Sequence, residues 1–161
     1  MTSDQIKSAI INGQTILGIE FGSTRIKSVL LGPDHIPIAT GSYTWENRFE
    51  NGLWTYRMED AWEGLRESYR ALAKNVSERY SVKLVKIGAI GISGMMHGYL
   101  PFDRNDNQID AFRTWRNTNT SAAAAALTEL FSFNVPLRWS ISQLYQSVLE
   151  NMEHVKDLCY M

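Results

Sequence analysis

Ile16-Leu17-Gly18-Ile19-Glu20-Phe21-Gly22-Ser23-Thr24-Arg25-Ile26-Lys27-Ser28-Val29-Leu30-Leu31 is the stretch on which the fold turns. Two apolar runs rich in β-branched residues, Ile16–Ile19 and Ile26–Leu31, flank a small polar turn, Gly22-Ser23-Thr24. Such runs around a glycine turn predict a β-hairpin. Glu20 stands at the end of the first strand, and Lys27 follows the turn by three residues. Ser23 and Thr24 bring hydroxyls and backbone N–H groups into the bend, which makes it a cradle for an anion. A neighbouring carboxylate can hold the cation that accompanies a phosphate. A plainer reading stays open at this point: a surface hairpin whose glycine only satisfies the turn.

Outward from the hairpin, Gly32-Pro33-Asp34 predicts a turn and Ile36–Tyr43 a third strand. No linker among the three can hold a crossover helix, so they form an antiparallel meander. Upstream, Ser3–Asn12 is a short helix or a loose arm with Ser3 as its cap, broken by Gly13. Downstream, Glu46–Trp54 is a polar connection containing the turn pair Asn51-Gly52. The period then changes. Trp62, Leu65, Tyr69, Leu72, Val76 and Tyr80 recur at three- and four-residue steps, one apolar face of a long helix. Asp60 and Glu63 suggest a capping arrangement at its start.

Leu84–Ile92, with Gly88, Ala89 and Gly91 inside it, predicts a strand buried on both faces. It runs into Ser93-Gly94-Met95-Met96-His97-Gly98. Ligands of open α/β sheets sit beyond the carboxyl ends of strands, so a site is expected in this loop. Leu100–Phe102 is a short strand, Asp103–Asn107 a turn, and Ala122–Phe131 a helix capped by Thr120 or Ser121. A second amphipathic helix spans Ile141–Met152, and Val155–Met161 stays apolar without a stop signal.

Composition narrows the classes. With 161 residues, 44% hydrophobic and 20% charged, the chain supports a real core, and its net charge of −1 offers no footprint for nucleic acid. One cysteine, Cys159, excludes a disulfide framework, and His35, His97 and His154 lack metal-ligand spacing. The first residues make no secretory signal, and no apolar run reaches the roughly 20 residues that span a bilayer. The expectation is a soluble cytoplasmic protein with no membrane partner.

Three segments resemble one family. Gly18-Ile19-Glu20-Phe21-Gly22-Ser23-Thr24 is similar to the first phosphate motif of the FGGY carbohydrate kinases, Gly-Ile-Asp-x-Gly-Thr-Thr/Ser. Ile92-Ser93-Gly94-Met95-Met96-His97-Gly98 resembles the Ile/Leu-Ser-Gly-Gln-Met-His-Gly loop of xylulokinases. Thr114-Trp115-Arg116-Asn117-Thr118-Asn119-Thr120 resembles their sugar-side Leu-Trp-Asn-Asp-x-Arg-Thr segment. The three stand in the family's order, and the similarity runs essentially to the C-terminus. It implies an α/β fold of the ribonuclease-H-like type shared by actin, sugar kinases and chaperone ATPases, with a mixed sheet flanked by helices. Residues 1–15 would be an N-terminal arm and 16–161 the first part of the kinase N-terminal domain, incomplete and without the second domain.

By the same resemblance the cofactors are ATP and Mg²⁺, and the substrate is a small sugar, a pentulose such as xylulose. Glu20 takes the place of the magnesium-associated carboxylate, and Gly22, Ser23 and Thr24 face the phosphates. Met96, His97, Trp115 and Asn117 line the sugar side. Met96 also suits plain packing, and Trp115 a core anchor. The general base is an aspartate expected beyond residue 161, so no catalytic residue is assigned and the isolated chain is expected to be inactive. Departures are Glu20 for Asp, Met95 for Gln, and Arg116, Asn117 and Asn119 where Asn, Asp and Arg are usual. They keep alive an alternative, a non-catalytic sugar-sensing or scaffolding module. An actin-like or chaperone domain lacks the His97 and Trp115 segments. A missing inner strand would leave an open sheet edge that invites aggregation or a homodimer.

Overall fold

The computed structural model describes residues 1–161. The chain divides into two compact units, Met1–Glu46 with Met58–Met95 and Asn47–Arg57 with Met96–Met161.

The first unit opens with α1 (Ser3–Ile11), whose Ala9 and Ile10 are buried. Its cap is Thr2 rather than Ser3. The Thr2 hydroxyl accepts the Gln5 N–H at 3.3 Å while the Gln5 side chain accepts the Thr2 N–H at 2.8 Å, a reciprocal capping box. Strands β1 (Ile16–Phe21), β2 (Arg25–Leu31) and β3 (Pro37–Thr44) form the expected meander. The hairpin register sets Glu20 opposite Lys27 and Gly18 opposite Val29. Alternation buries Leu17, Ile26 and Leu30 on the other face.

That face receives the long helix, taken here as α2 (Met58–Tyr80). Helix and sheet meet closely because small residues line the contact. A Cβ on Gly41 would lie 2.2 Å from the Ser68 carbonyl oxygen, and one on Gly64 would lie 2.5 Å from Ile26 Cδ1. The Ser28 and Ser68 hydroxyls share a buried hydrogen bond of 2.9 Å. The buried stripe is therefore Gly64, Ser68, Leu72, Val76 and Tyr80, and Trp62 is left 57% exposed on the flank. The periodicity located the helix but named the wrong residues at its start, since close approach favours small side chains over an aromatic there. Asp60 lies inside the first turn, beside Glu59, where an acid suits the helix dipole.

The strand after α2 is β6, shorter than predicted at Ala89–Gly94 and exposed along its whole length. The expectation of burial on both faces is corrected: Ile90 is 60% and Ile92 71% exposed. The strand order is β3-β2-β1-β6, with β6 parallel to β1, which makes β6 one of the two edge strands. At the opposite edge, α2 takes two backbone groups of β3. Thr40 N–H donates to Asn75 Oδ1 at 3.2 Å, and the Ile38 carbonyl accepts the Tyr80 hydroxyl at 3.0 Å together with the Arg79 guanidinium.

The second unit contains an element the sequence reading missed, the hairpin of β4 (Arg48–Glu50) and β5 (Leu53–Tyr56). Its two-residue turn has Asn51 at φ 50° and Gly52 at φ 81°, the left-handed pair that a tight hairpin demands. β7 (Phe112–Arg113) pairs with β5, and Tyr99 bridges Arg113 on the far side of β7. Around Phe102 there are only isolated bridges, to Gln108 and Tyr160, in place of the predicted strand. α3 (Ser121–Phe131) and α4 (Ser140–Leu149) follow, then one 3₁₀ turn, Glu153–Lys156. Thr120 precedes α3, but its hydroxyl donates to the Leu137 carbonyl rather than capping.

A polar cluster fills the interior of this unit. The Arg113 side chain, 2% exposed, pairs with Asp110, donates to Ser147 Oγ at 3.1 Å and lies over the Tyr99 ring at 5.0 Å. The Tyr99 hydroxyl meets His154 Nε2 at 2.7 Å. Burial pushes the Tyr99 phenol up and the His154 imidazole down from their ordinary values.

Candidate functional site

In the first unit the chemistry-bearing groups gather where β1 ends. Glu20 Oε2 receives Lys27 Nζ at 3.1 Å, both side chains about half exposed. The Gly22 N–H donates to the Arg25 carbonyl at 2.9 Å and closes the bend. Trp45 pins it: its indole N–H donates to the Gly22 carbonyl at 2.7 Å, and its backbone N–H to the Thr24 carbonyl at 3.2 Å. A Cβ at Gly22 would stand 2.9 Å from the Arg25 oxygen and 3.3 Å from Glu20 Oε1, so glycine keeps the bend tight against the carboxylate. In the parallel register Ser93 neighbours Glu20 and Gly94 neighbours Phe21, and the Met95 N–H donates to the Phe21 carbonyl at 3.1 Å. The carboxyl ends of β1 and β6 thus lie side by side, above an open hollow of about 510 Å³ lined by Gly18, Glu20, Lys27, Val29, Gly91 and Ser93.

No group of three or more acidic, histidine or cysteine side chains forms a cage for a metal. Mg²⁺ rarely asks for one. It keeps waters, takes one or two carboxylates, and draws its remaining ligands from phosphates. A single exposed carboxylate beside a tight glycine bend fits that habit.

In the second unit the segments around His97 and Trp115 meet. Tyr99 and Arg113 exchange both backbone hydrogen bonds at 2.9 Å in an antiparallel pair. His97 precedes Tyr99 and Trp115 follows Arg113, so both segments leave the pair at the same end. His97 has φ 66°, a left-handed conformation that is costly for a side chain with a Cβ and that gathers at functional loops. Its ring stacks on Trp139 with centroids 6.0 Å apart and planes 11° apart. Gly98 has no room for a Cβ, which would lie 2.8 Å from Phe112 Cε2, and its carbonyl accepts the Ser140 hydroxyl at 2.6 Å. Met96 is 72% and Trp115 41% exposed.

Asn117 stands apart from its three companions. It is 4% exposed. Its Oδ1 accepts the Trp54 N–H at 2.9 Å, and its Nδ2 donates to the carbonyls of Trp54 at 2.7 Å and Thr114 at 3.0 Å. The carboxamide thus acts as a strand partner for Trp54, both N–H groups committed to backbone. Pairing of Trp54 with the segment after β7 continues through Thr114, whose N–H donates to the Trp54 carbonyl at 3.0 Å.

The sequence reading overlooked Trp45, Trp54 and Trp139, which brace these loops. The signal available was the Asn51-Gly52 turn, which marks a hairpin carrying Trp54. Trp139 shows none, since it reaches His97 only through the fold.

The fold has counterparts among known proteins. The model of the FGGY family of carbohydrate kinases, N-terminal domain, matches residues 15–149. A structure described as a xyloylose kinase from Brucella ovis superposes with a TM-score of 0.77 at 20% identity, covering 89% of this chain and 31% of its own. A gluconate kinase from Lactobacillus acidophilus gives 0.71 at 17% identity over 89% and 30%. A Plasmodium falciparum glycerol kinase with ADP gives 0.67 at 12% identity over 88% and 30%. No curated protein matches the chain significantly. The chain spans about a third of the length of these kinases. No helix is long and apolar enough to cross a membrane. The meander followed by a helix and a parallel strand is the ribonuclease-H-like arrangement of those kinases, here in part, and the family match takes in both the bend at Gly22 and the loop at His97: the chain belongs to the FGGY family of carbohydrate kinases, within their N-terminal domain.

Proposed function

We propose that this chain supplies the first portion of a cytoplasmic kinase that transfers the γ-phosphate of MgATP to a hydroxyl of a sugar. The resemblance to xylulokinases favours the pentuloses as acceptors. The observation that carries the reading is the Tyr99–Arg113 pair, which brings the strained His97 loop and Trp115 to one end of a small sheet.

Phosphoryl transfer depends on positioning and charge neutralisation more than on covalent chemistry by the protein. The Gly22-Ser23-Thr24 bend offers N–H groups and hydroxyls to phosphate oxygens, and Glu20 would hold Mg²⁺. Mg²⁺ held there would supply positive charge to offset that of the phosphates. Glu20 then has two partners to choose from, since its salt bridge to Lys27 competes with the metal for the carboxylate. On the sugar side, His97 gives a directional hydrogen bond to a hydroxyl. Trp115 and Met96 give apolar surface to the C–H face of the chain. Asn117 serves by holding Trp54 in place, not by contact.

A constellation of this kind works only when all of it is present. The 161 residues alone are therefore expected to bind without turnover, the base being supplied elsewhere in the full kinase. Tryptophan fluorescence tests the proposal. Xylulose should quench the native chain and fail to quench His97→Ala, while MgADP should perturb the native chain more strongly than Glu20→Gln. Absence of both responses overturns the kinase reading. Sugar binding with no nucleotide response favours the non-catalytic sugar-sensing module, a reading to which the Glu20–Lys27 pairing lends support.

A further inference from the structure

Arg116 departs from the family's pattern, and the structure gives its side chain a definite posture. The guanidinium carbon lies 3.6 Å from the centroid of the Trp54 ring, a close stack. The platform beneath it is fixed. Asn117 holds both the N–H and the carbonyl of Trp54, and the Phe49 ring packs against the indole at 5.1 Å. The backbone is held as well, the Arg116 N–H donating to Thr114 Oγ1 at 3.3 Å. Arg57 and Arg113 of the same unit pair with Glu50 and Asp110, but Arg116 has no carboxylate partner and is exposed.

An arginine stacked flat on an indole keeps its edge donors free, in a planar fork that matches a carboxylate with two parallel hydrogen bonds. Stacking also removes most of the rotamer freedom that an exposed arginine loses on binding, so the fork is organised in advance. The neighbouring residue is Trp115, whose exposed indole suits the C–H face of a polyhydroxylated chain. A neutral sugar offers the fork only single hydroxyl acceptors. An acid offers it both oxygens of one planar group.

From the unpaired Arg116 fork on its Trp54 platform beside Trp115, we infer that the acceptor is a sugar acid, its carboxylate taken by Arg116. This rests on the sugar-side reading given above and replaces its neutral pentulose acceptor with a polyhydroxy acid of similar length. Arg116 is on this account a specificity-determining contact and takes no part in the phosphoryl step.

The test is an NMR titration of the ¹⁵N-labelled chain with D-gluconate, D-xylulose, acetate and inorganic phosphate, followed at the indole N–H groups. The variants are Arg116→Met, which keeps a long stem over Trp54, and Arg116→Lys, which keeps the charge and loses the fork. Arg116 is exposed, so neither variant should alter the circular dichroism spectrum. D-gluconate should bind the native chain about tenfold more tightly than D-xylulose. The preference should vanish in Arg116→Met through weaker gluconate binding, with Arg116→Lys in between. Equal or tighter binding of xylulose, or an unchanged preference in Arg116→Met, overturns the inference and leaves the sugar-side reading standing. Acetate or phosphate binding as tightly as gluconate also overturns it, because the site would then hold any anion. If neither sugar shifts any indole, both readings fall together.

Discussion

Replacing Asn117 by Asp inserts the residue of the motif that this segment resembles, and the structure expects it to do harm. The native carboxamide accepts from the Trp54 N–H at 2.9 Å and donates to two carbonyls, at 2.7 Å and 3.0 Å. Asp keeps the first bond and loses both donations, about 1 kcal/mol each. It also sets a carboxylate against two carbonyl oxygens at a position only 4% exposed, which adds about 1–3 kcal/mol. The loss at pH 7 is then roughly 3–5 kcal/mol, a large share of the stability of a small domain. Burial and the facing carbonyls raise the carboxyl pKa above the roughly 3.9 of an unfolded chain. The penalty is therefore full above the folded pKa and shrinks as the pH falls through it. The difference between variant and native urea midpoints should narrow from pH 7 to pH 4.5, and effects of other groups cancel because both proteins carry them. An Asn117→Asp protein within about 0.5 kcal/mol of native at pH 7, or a gap that widens with acid, would refute the reasoning.

Three further outcomes are expected. Gly41→Ala brings a methyl to 2.2 Å from the Ser68 oxygen and 2.3 Å from the Leu72 nitrogen. α2 must lift from the sheet at a cost of about 1–3 kcal/mol or more, read as a lower urea midpoint. His154 is held below its ordinary pKa, first by burial and then by Arg113, against the pull of Asp110. The unfolded chain then takes up the proton more readily, and the docking of the Glu153–Lys156 turn weakens as the pH falls below about 6.5. Hydrogen exchange at that turn should quicken with acid after correction for intrinsic rates, and no change would contradict the assignment. β6, exposed on both faces, should exchange faster than β1; equal protection of the two would show that the strand is covered in solution.

What could be read in advance followed from how local each feature is. The hairpin at Glu20–Lys27 and the meander rest on alternating residues and short turns, and both were legible. The helix after them was legible as a period, but the identity of its buried stripe depends on the approach of Gly41 to Ser68, which no pattern along one segment reveals. β4 and β7 span three residues and two, too few for any period to register. The burial assigned to Leu84–Ile92 was a statement about neighbours, and composition cannot supply neighbours. The same limit applied at the site. Gly22, Ser23, Thr24 and His97 declare themselves by motif. The commitment of Asn117 to Trp54, and the posture of Arg116 on that ring, arise between segments some 60 residues apart.

The two margins of the larger sheet differ, and the difference gives the molecule a direction of growth. Asn75, Arg79 and Tyr80 occupy the Thr40 N–H and the Ile38 carbonyl, so a newcomer strand finds part of that rim already taken. The rim beyond β6 carries no paired strand. A strand added there would lie next to Ser93 and Gly94, which lead into the His97 loop. Covering that bare flank and bordering the hollow beside Glu20 and Ser93 would be one event.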